Sequence, residues 1–60
     1  MIEDGIYASP LIDEMSYRVE GDDIRVSIDS GEWRKPFIVT TREAIKIMLD
    51  NGELVKVSDL

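Results

Sequence analysis

The clearest periodicity in the chain begins at Met15. Met15, Tyr17 and Val19 alternate with Ser16, Arg18 and Glu20, and after Gly21-Asp22-Asp23 the residues Ile24, Val26 and Ile28 alternate with Arg25, Ser27 and Asp29. A period of two marks a strand with one buried face. Two such runs joined by a short Gly/Asp loop predict a β-hairpin. Arg18 and Glu20 on one strand would face Arg25 and Ser27 on the other, giving a polar outer face. Asp29-Ser30-Gly31-Glu32 reads as a second turn. Phe37-Ile38-Val39 then predicts a third strand, beginning near Trp33; Pro36 has no N–H to donate and confines that strand to an edge or a bulge.

The period changes after Val39. Ala44, Ile45, Met48 and Leu49 form a broad apolar helical face that Ile47 widens, with Arg42, Lys46 and Asp50 at four-residue intervals on the opposite side. Thr40-Thr41-Arg42-Glu43 reads as a capping box, and Asn51-Gly52 as a stop with Gly52 left-handed. The expected helix runs from about Thr41 to Asn51. Leu54-Val55-Lys56-Val57 predicts a fourth strand, with Val55 and Val57 on one face.

The first fourteen residues carry weaker signals. Glu3-Asp4-Gly5 is a turn, and Ile6-Tyr7-Ala8 a short extended piece. Ser9-Pro10 is a cap followed by proline, which predicts at most one helical turn anchored by Leu11 and Ile12; the alternative is a loosely held arm. Together these patterns predict one α+β domain over residues 1–60, with 1–14 as arm or helical turn and 15–60 as folded core. Its order is β-β-β-α-β, a mostly antiparallel sheet of three or four strands packed on one helix. The expected core is Met15, Tyr17, Val19, Ile24, Val26, Ile28, Phe37, Val39, Ala44, Ile45, Met48, Leu49, Leu54, Val55 and Val57.

Composition narrows what such a domain can do. A chain of 60 residues buries only about 60% of the surface its unfolded form exposes. With no cysteine and no histidine, it has neither disulfides nor a Cys/His metal site to compensate. The remaining routes are a compact monomeric core or a homodimer that completes it. The start of the sequence lacks the basic and apolar regions of a signal peptide, and no apolar stretch approaches the roughly 20 residues of a membrane span. The expectation is a cytoplasmic protein, of its source or of an infected host cell, without a membrane partner.

Thirteen acidic and seven basic residues give a net charge of −6. That balance repels phosphate backbones and disfavours nucleic acid as a partner. It suits a basic partner, including a nucleic-acid-binding enzyme, and it also simply keeps a small protein soluble.

No enzymatic constellation stands out. The commonest general base and the most nucleophilic side chain are both missing. Asp22-Asp23 is an adjacent acidic pair of the kind that binds Mg²⁺ or Ca²⁺, but a hairpin turn accounts for it without a metal. Gly5, Gly21, Gly31 and Gly52 match no phosphate-cradling spacing. The expectation is a non-enzyme with no cofactor and no metal.

Trp33-Arg34-Lys35 places an aromatic beside two cations, a pattern able to stack on a base and touch a phosphate. Thr40-Thr41-Arg42-Glu43-Ala44, with Gly52-Glu53-Leu54-Val55-Lys56-Val57 after it, resembles the start and end of excisionase-like winged-helix modules. The resemblance covers under half the chain, and those modules carry a second, recognition helix for which this interval has no room. It implies a small nucleic-acid-binding regulator. The reading favoured by elimination is a small acidic protein–protein interaction module, such as a phage or mobile-element regulator or inhibitor of a host protein. A homo-oligomeric assembly subunit is a further alternative. Trp, Tyr and Arg most often anchor interfaces. The candidate partner-binding residues are Trp33, Arg34 and Tyr7, with the acidic Asp22, Asp23 and Asp29.

Overall fold

The computed structural model describes residues 2–29 and 31–60. Its elements are β1 (Gly5–Ala8), β2 (Ser16–Glu20), β3 (Asp23–Ser27), α1 (Arg42–Asp50) and β4 (Val55–Ser58). They form a four-stranded sheet in the order β3-β2-β1-β4, with every pairing antiparallel. The β-β-β-α-β order and the packing of one helix on an antiparallel sheet agree with the sequence pattern. The strands that fill the order differ.

The β2–β3 hairpin forms, with Tyr17 opposite Val26, Val19 opposite Ile24 and Arg18 opposite Arg25; Glu20 faces Asp23, and Ser27 faces Ser16 and is buried, so only part of the expected polar outer face is realised. Its loop is Gly21-Asp22, and Gly21 has φ +59. A left-handed glycine at the first loop position matches the right-handed twist of the flanking strands. Arg18 and Arg25 would repel across the ladder. Each is answered along its own strand, Arg18 by Glu20 at 3.1 Å and Arg25 by Asp23 at 2.9 Å.

The first departure is at the N-terminal end. Residues 5–8 are not an arm but an inner strand, flanked by β2 on one side and β4 on the other. Tyr7 is only 2% exposed and belongs to the core with Val19, Ile24, Ile45 and Leu54; Ile2, Tyr17, Met48 and Leu49 pack against them. The hydroxyl of Tyr7 donates to the Glu3 carbonyl, which satisfies its one polar atom. The Ser9 hydroxyl accepts from the N–H groups of Leu11 and Ile12, as a cap would. No helical turn follows, and Leu11 and Ile12 are exposed rather than anchoring.

The second departure is the expected strand at Phe37-Ile38-Val39. The chain after β3 returns to its edge for a single antiparallel bridge, in which Arg34 and Val26 exchange N–H···O bonds of 2.8 and 2.9 Å. In an antiparallel ladder the next bonded pair lies two residues on, between Ile24 and Pro36. Pro36 has no N–H, so the ladder stops there. Phe37, Ile38 and Val39 leave the sheet and are exposed. The turn read over residues 29–32 includes Ser30, which lies outside the described residues, as does Met1. Beside it, the Asp29 carboxylate accepts from the Gly31 N–H at 3.1 Å.

The helix is capped one residue later than the capping-box reading. Thr41 is the N-cap, and its hydroxyl accepts from the Ala44 N–H at 3.2 Å. Glu43 therefore sits one position too early to close a capping box, although its charge still suits the first turn. The C-terminal reading holds: Gly52 has φ +78. Its N–H bonds to the Leu49 carbonyl at 3.1 Å and that of Glu53 to the Met48 carbonyl at 2.8 Å, a Schellman closure.

That closure delivers Leu54 straight into the core and reverses the expected phase of β4. Lys56 pairs with Tyr7 and shares its face, so Val55 and Val57 turn outward and are exposed. Val57 is the extra residue of a bulge between the Lys56–Tyr7 and Ser58–Ile6 pairs. Among the described residues no helix is long and apolar enough to cross a membrane.

Candidate functional site

The connection from β3 to α1 carries the features that packing leaves unexplained. Trp33 and Arg34 stand at the bridge to Val26. Trp33 is 37% exposed, and past Pro36 the side chains of Phe37, Ile38 and Val39 are 109%, 82% and 90% exposed. Burying an aromatic or branched aliphatic side chain is worth about 1.5–3 kcal/mol. Phe37, Ile38 and Val39 forgo that gain as three consecutive large apolar side chains in water.

The sequence-derived candidates fall into different settings. Trp33 and Arg34 are adjacent and exposed on this connection, but Arg34 is already answered by Glu32 at 3.1 Å and Asp29 at 3.9 Å. Asp29 also accepts from Ser27 and Gly31, so it organises the loop. Asp23 is tied to Arg25. Asp22 is exposed at the tip of the hairpin and, among the described residues, enters no ion pair. Tyr7 does not join this group: its side chain is in the core and presents no surface to a partner. Phe37, Ile38 and Val39 were missed as surface residues because β-prone apolar runs usually mark strands; Pro36, one residue before, is the signal that this run does not pair.

Arg42 locks the surface onto the body of the domain. As the first helical residue it reaches back to the hairpin turn and the chain start, donating to Asp4 Oδ1 at 2.6 Å, to the Gly21 carbonyl at 2.6 Å and to the Ile2 carbonyl at 2.5 Å. Asp4 also accepts from the Gly21 N–H at 3.1 Å. The tip of β2–β3, the entry to β1 and the start of α1 thus share one charged node. Between them lies an open groove of about 710 Å³ lined by Asp22, Val39, Thr40, Thr41, Arg42 and Glu43. Among the described residues, no group of three or more Asp or Glu is placed to hold a metal ion.

The electrostatics of this node set a pH dependence. The Arg42 hydrogen bond, with that from Gly21, holds the Asp4 carboxyl below its ordinary 3.8. The Gly31 N–H does the same for Asp29, and Lys56 for Asp59. Bonds to Asp59 and Glu3 raise the Lys56 ammonium above 10.5. Lowered carboxyls bind fewer protons in the native state. Their contribution to stability is in place above 3.8 and is lost as pH falls through the native values. The Lys56 contribution is in place below 10.5 and is lost as pH rises past its raised value. Thermal melts across the acid range should therefore fall below pH 3.8. Asp4→Asn should melt lower at neutral pH and fall less steeply in acid. An unchanged acid slope in that variant would remove Asp4 from the explanation.

No protein-family model matches the chain, and neither does any curated protein or solved structure.

Proposed function

We propose that this chain is a small non-enzymatic protein-interaction module whose partner docks on the connection between β3 and α1. The exposure of Phe37, Ile38 and Val39 carries the reading, because contiguous exposed apolar surface on a small domain marks an interaction site. Trp33, exposed on the same connection, adds the residue type most enriched at binding hot spots. The net charge of −6 selects a basic partner and steers its encounter. Size and charge suit a regulator or inhibitor of a cytoplasmic host protein, of the kind phages and mobile elements carry.

The nucleic-acid alternative loses ground on the same surface. Of the seven basic residues, Arg18, Arg25, Arg34, Arg42, Lys46 and Lys56 already sit in ion pairs, leaving Lys35 as the one without a pair among the described residues. Phosphate binding is driven by cations that displace the counterions condensed on the nucleic acid, and here six of the seven would have to exchange a carboxylate partner to do so.

The test is a tagged pull-down from lysate of the source or host, with Phe37→Asp as the matched bait. A basic protein enriched by the native bait, lost with Phe37→Asp and released by high salt, is the expected result. Identical captures with both baits would remove the connection as the docking surface, and no enriched protein at all would remove the module reading.

A further inference from the structure

The groove beside the apolar run has an electrostatic character of its own. It is lined by the start of α1, by Asp22 of the hairpin turn and by Val39, which follows the exposed Phe37 and Ile38 in the chain. Its charged groups are Asp22, Arg42 and Glu43. The Arg42 guanidinium is taken by Asp4 and by the Gly21 and Ile2 carbonyls. Asp22 and Glu43 have no ion-pair partner among the described residues. The helix N-terminus contributes roughly half a positive charge. Glu43 in the first turn outweighs it, and the Thr41 hydroxyl already occupies the Ala44 N–H. Among the described residues, the groove therefore presents both unpaired carboxylates and an apolar side chain.

Resting on the interaction reading above, we propose that this groove seats an arginine- or lysine-bearing apolar segment of the partner. The cation lies between Asp22 and Glu43, and its aliphatic stem and apolar neighbours lie on Val39, Ile38 and Phe37. Long cationic side chains bury their stems on apolar surface while keeping the charged head near water and carboxylates, so one such residue satisfies both kinds of group. A second copy of this chain is the wrong occupant: it brings the same −6 charge to an acidic groove, and like charges facing each other oppose association.

The probe is a capped peptide of alternating arginine and leucine, titrated into ¹⁵N-labelled protein, with its glutamate–leucine counterpart as control. The arginine peptide should shift the amides of Asp22 and of Val39 through Glu43, and the control should not. Asp22→Asn with Glu43→Gln should weaken binding about five-fold. These two changes break no ion pair among the described residues, and Glu43→Gln gives up only the first-turn dipole interaction, so the melting temperature should fall by a few degrees at most and the fold should persist. Shifts confined to β4, equal affinity in the double variant, or no shifts at all would overturn the groove assignment. So would concentration-dependent shifts of the same amides without peptide, which would give the groove to a second copy. A partner captured through Phe37 but held equally well by the double variant discards the groove and leaves the module reading standing.

Discussion

Replacing Ile45 by alanine should cost about 2–5 kcal/mol, whereas the same change at Ile47, two residues on in the same helix, should cost about 0.5 kcal/mol or less. Ile45 is 0% exposed and is the one buried residue of α1, while Ile47 is 60% exposed. Among the described residues, the core it completes contains only Tyr7, Val19, Ile24 and Leu54 besides. A domain of 60 residues has a total stability of about 3–9 kcal/mol at typical per-residue values. Ile45→Ala therefore removes a large share of it, at about 4–8 °C of melting temperature per kcal/mol. Ile45 is the link between helix and sheet, so the variant should lose the helix and the sheet in one transition. Equal melting temperatures for the two variants would mean that α1 does not dock on the face that holds Val19 and Tyr7.

Gly5→Ala should separate β4 from β1. A Cβ built on Gly5 would lie 2.6 Å from the Ser58 backbone oxygen and 2.8 Å from the Lys56 Cε. The lysine carbon is on a flexible side chain and can move. The carbonyl belongs to the paired strand, and it moves only if the bulge at Val57 or the ladder shifts. Overpacking of this kind costs about 1–3 kcal/mol, and here the strain falls on one ladder. The expected result is a lower melting temperature together with lost amide protection at Val55–Ser58, while β2 and β3 stay protected at moderate temperature. An alanine variant with native melting and a protected β4 would show that the two strands approach less closely than the geometry requires.

What the sequence carried and what it lacked divide along physical lines. The hairpin was legible because two runs of period two flank a glycine that only a left-handed turn explains. The helix was legible from its apolar face and its Asn51-Gly52 stop. β1 was legible only as a short extended piece over Ile6-Tyr7-Ala8 and not as an inner strand, because four residues containing one glycine and one tyrosine offer no periodicity to count. Its strand character comes from neighbours on both sides, and its glycine is set by the close approach of Ser58. The phase of β4 was misread for a related reason. Val55 and Val57 have the better strand propensity, but the Schellman turn sends Leu54 inward and so hands the inner face to Lys56. Lys56 tolerates that place because its ammonium reaches Asp59 at 2.6 Å and Glu3 at 3.1 Å at the strand's end.

The proposed interaction surface was half legible. Trp33, Arg34 and the hairpin aspartates lie along or beside it, but its main apolar content was assigned to a strand that Pro36 does not allow. Tyr7 was credited to a surface because aromatic type, read alone, does not distinguish a hot spot from a core residue. Only placement between two strands decides it.

The most direct test is photo-crosslinking with a benzophenone amino acid at position 37 and, as a control, at position 18, on the sheet face away from the core. The interaction reading predicts one discrete adduct of the protein with a single basic partner from position 37 and none from position 18. Adducts from position 18 alone, or an adduct at position 37 with the mass of two copies of this chain, would contradict it.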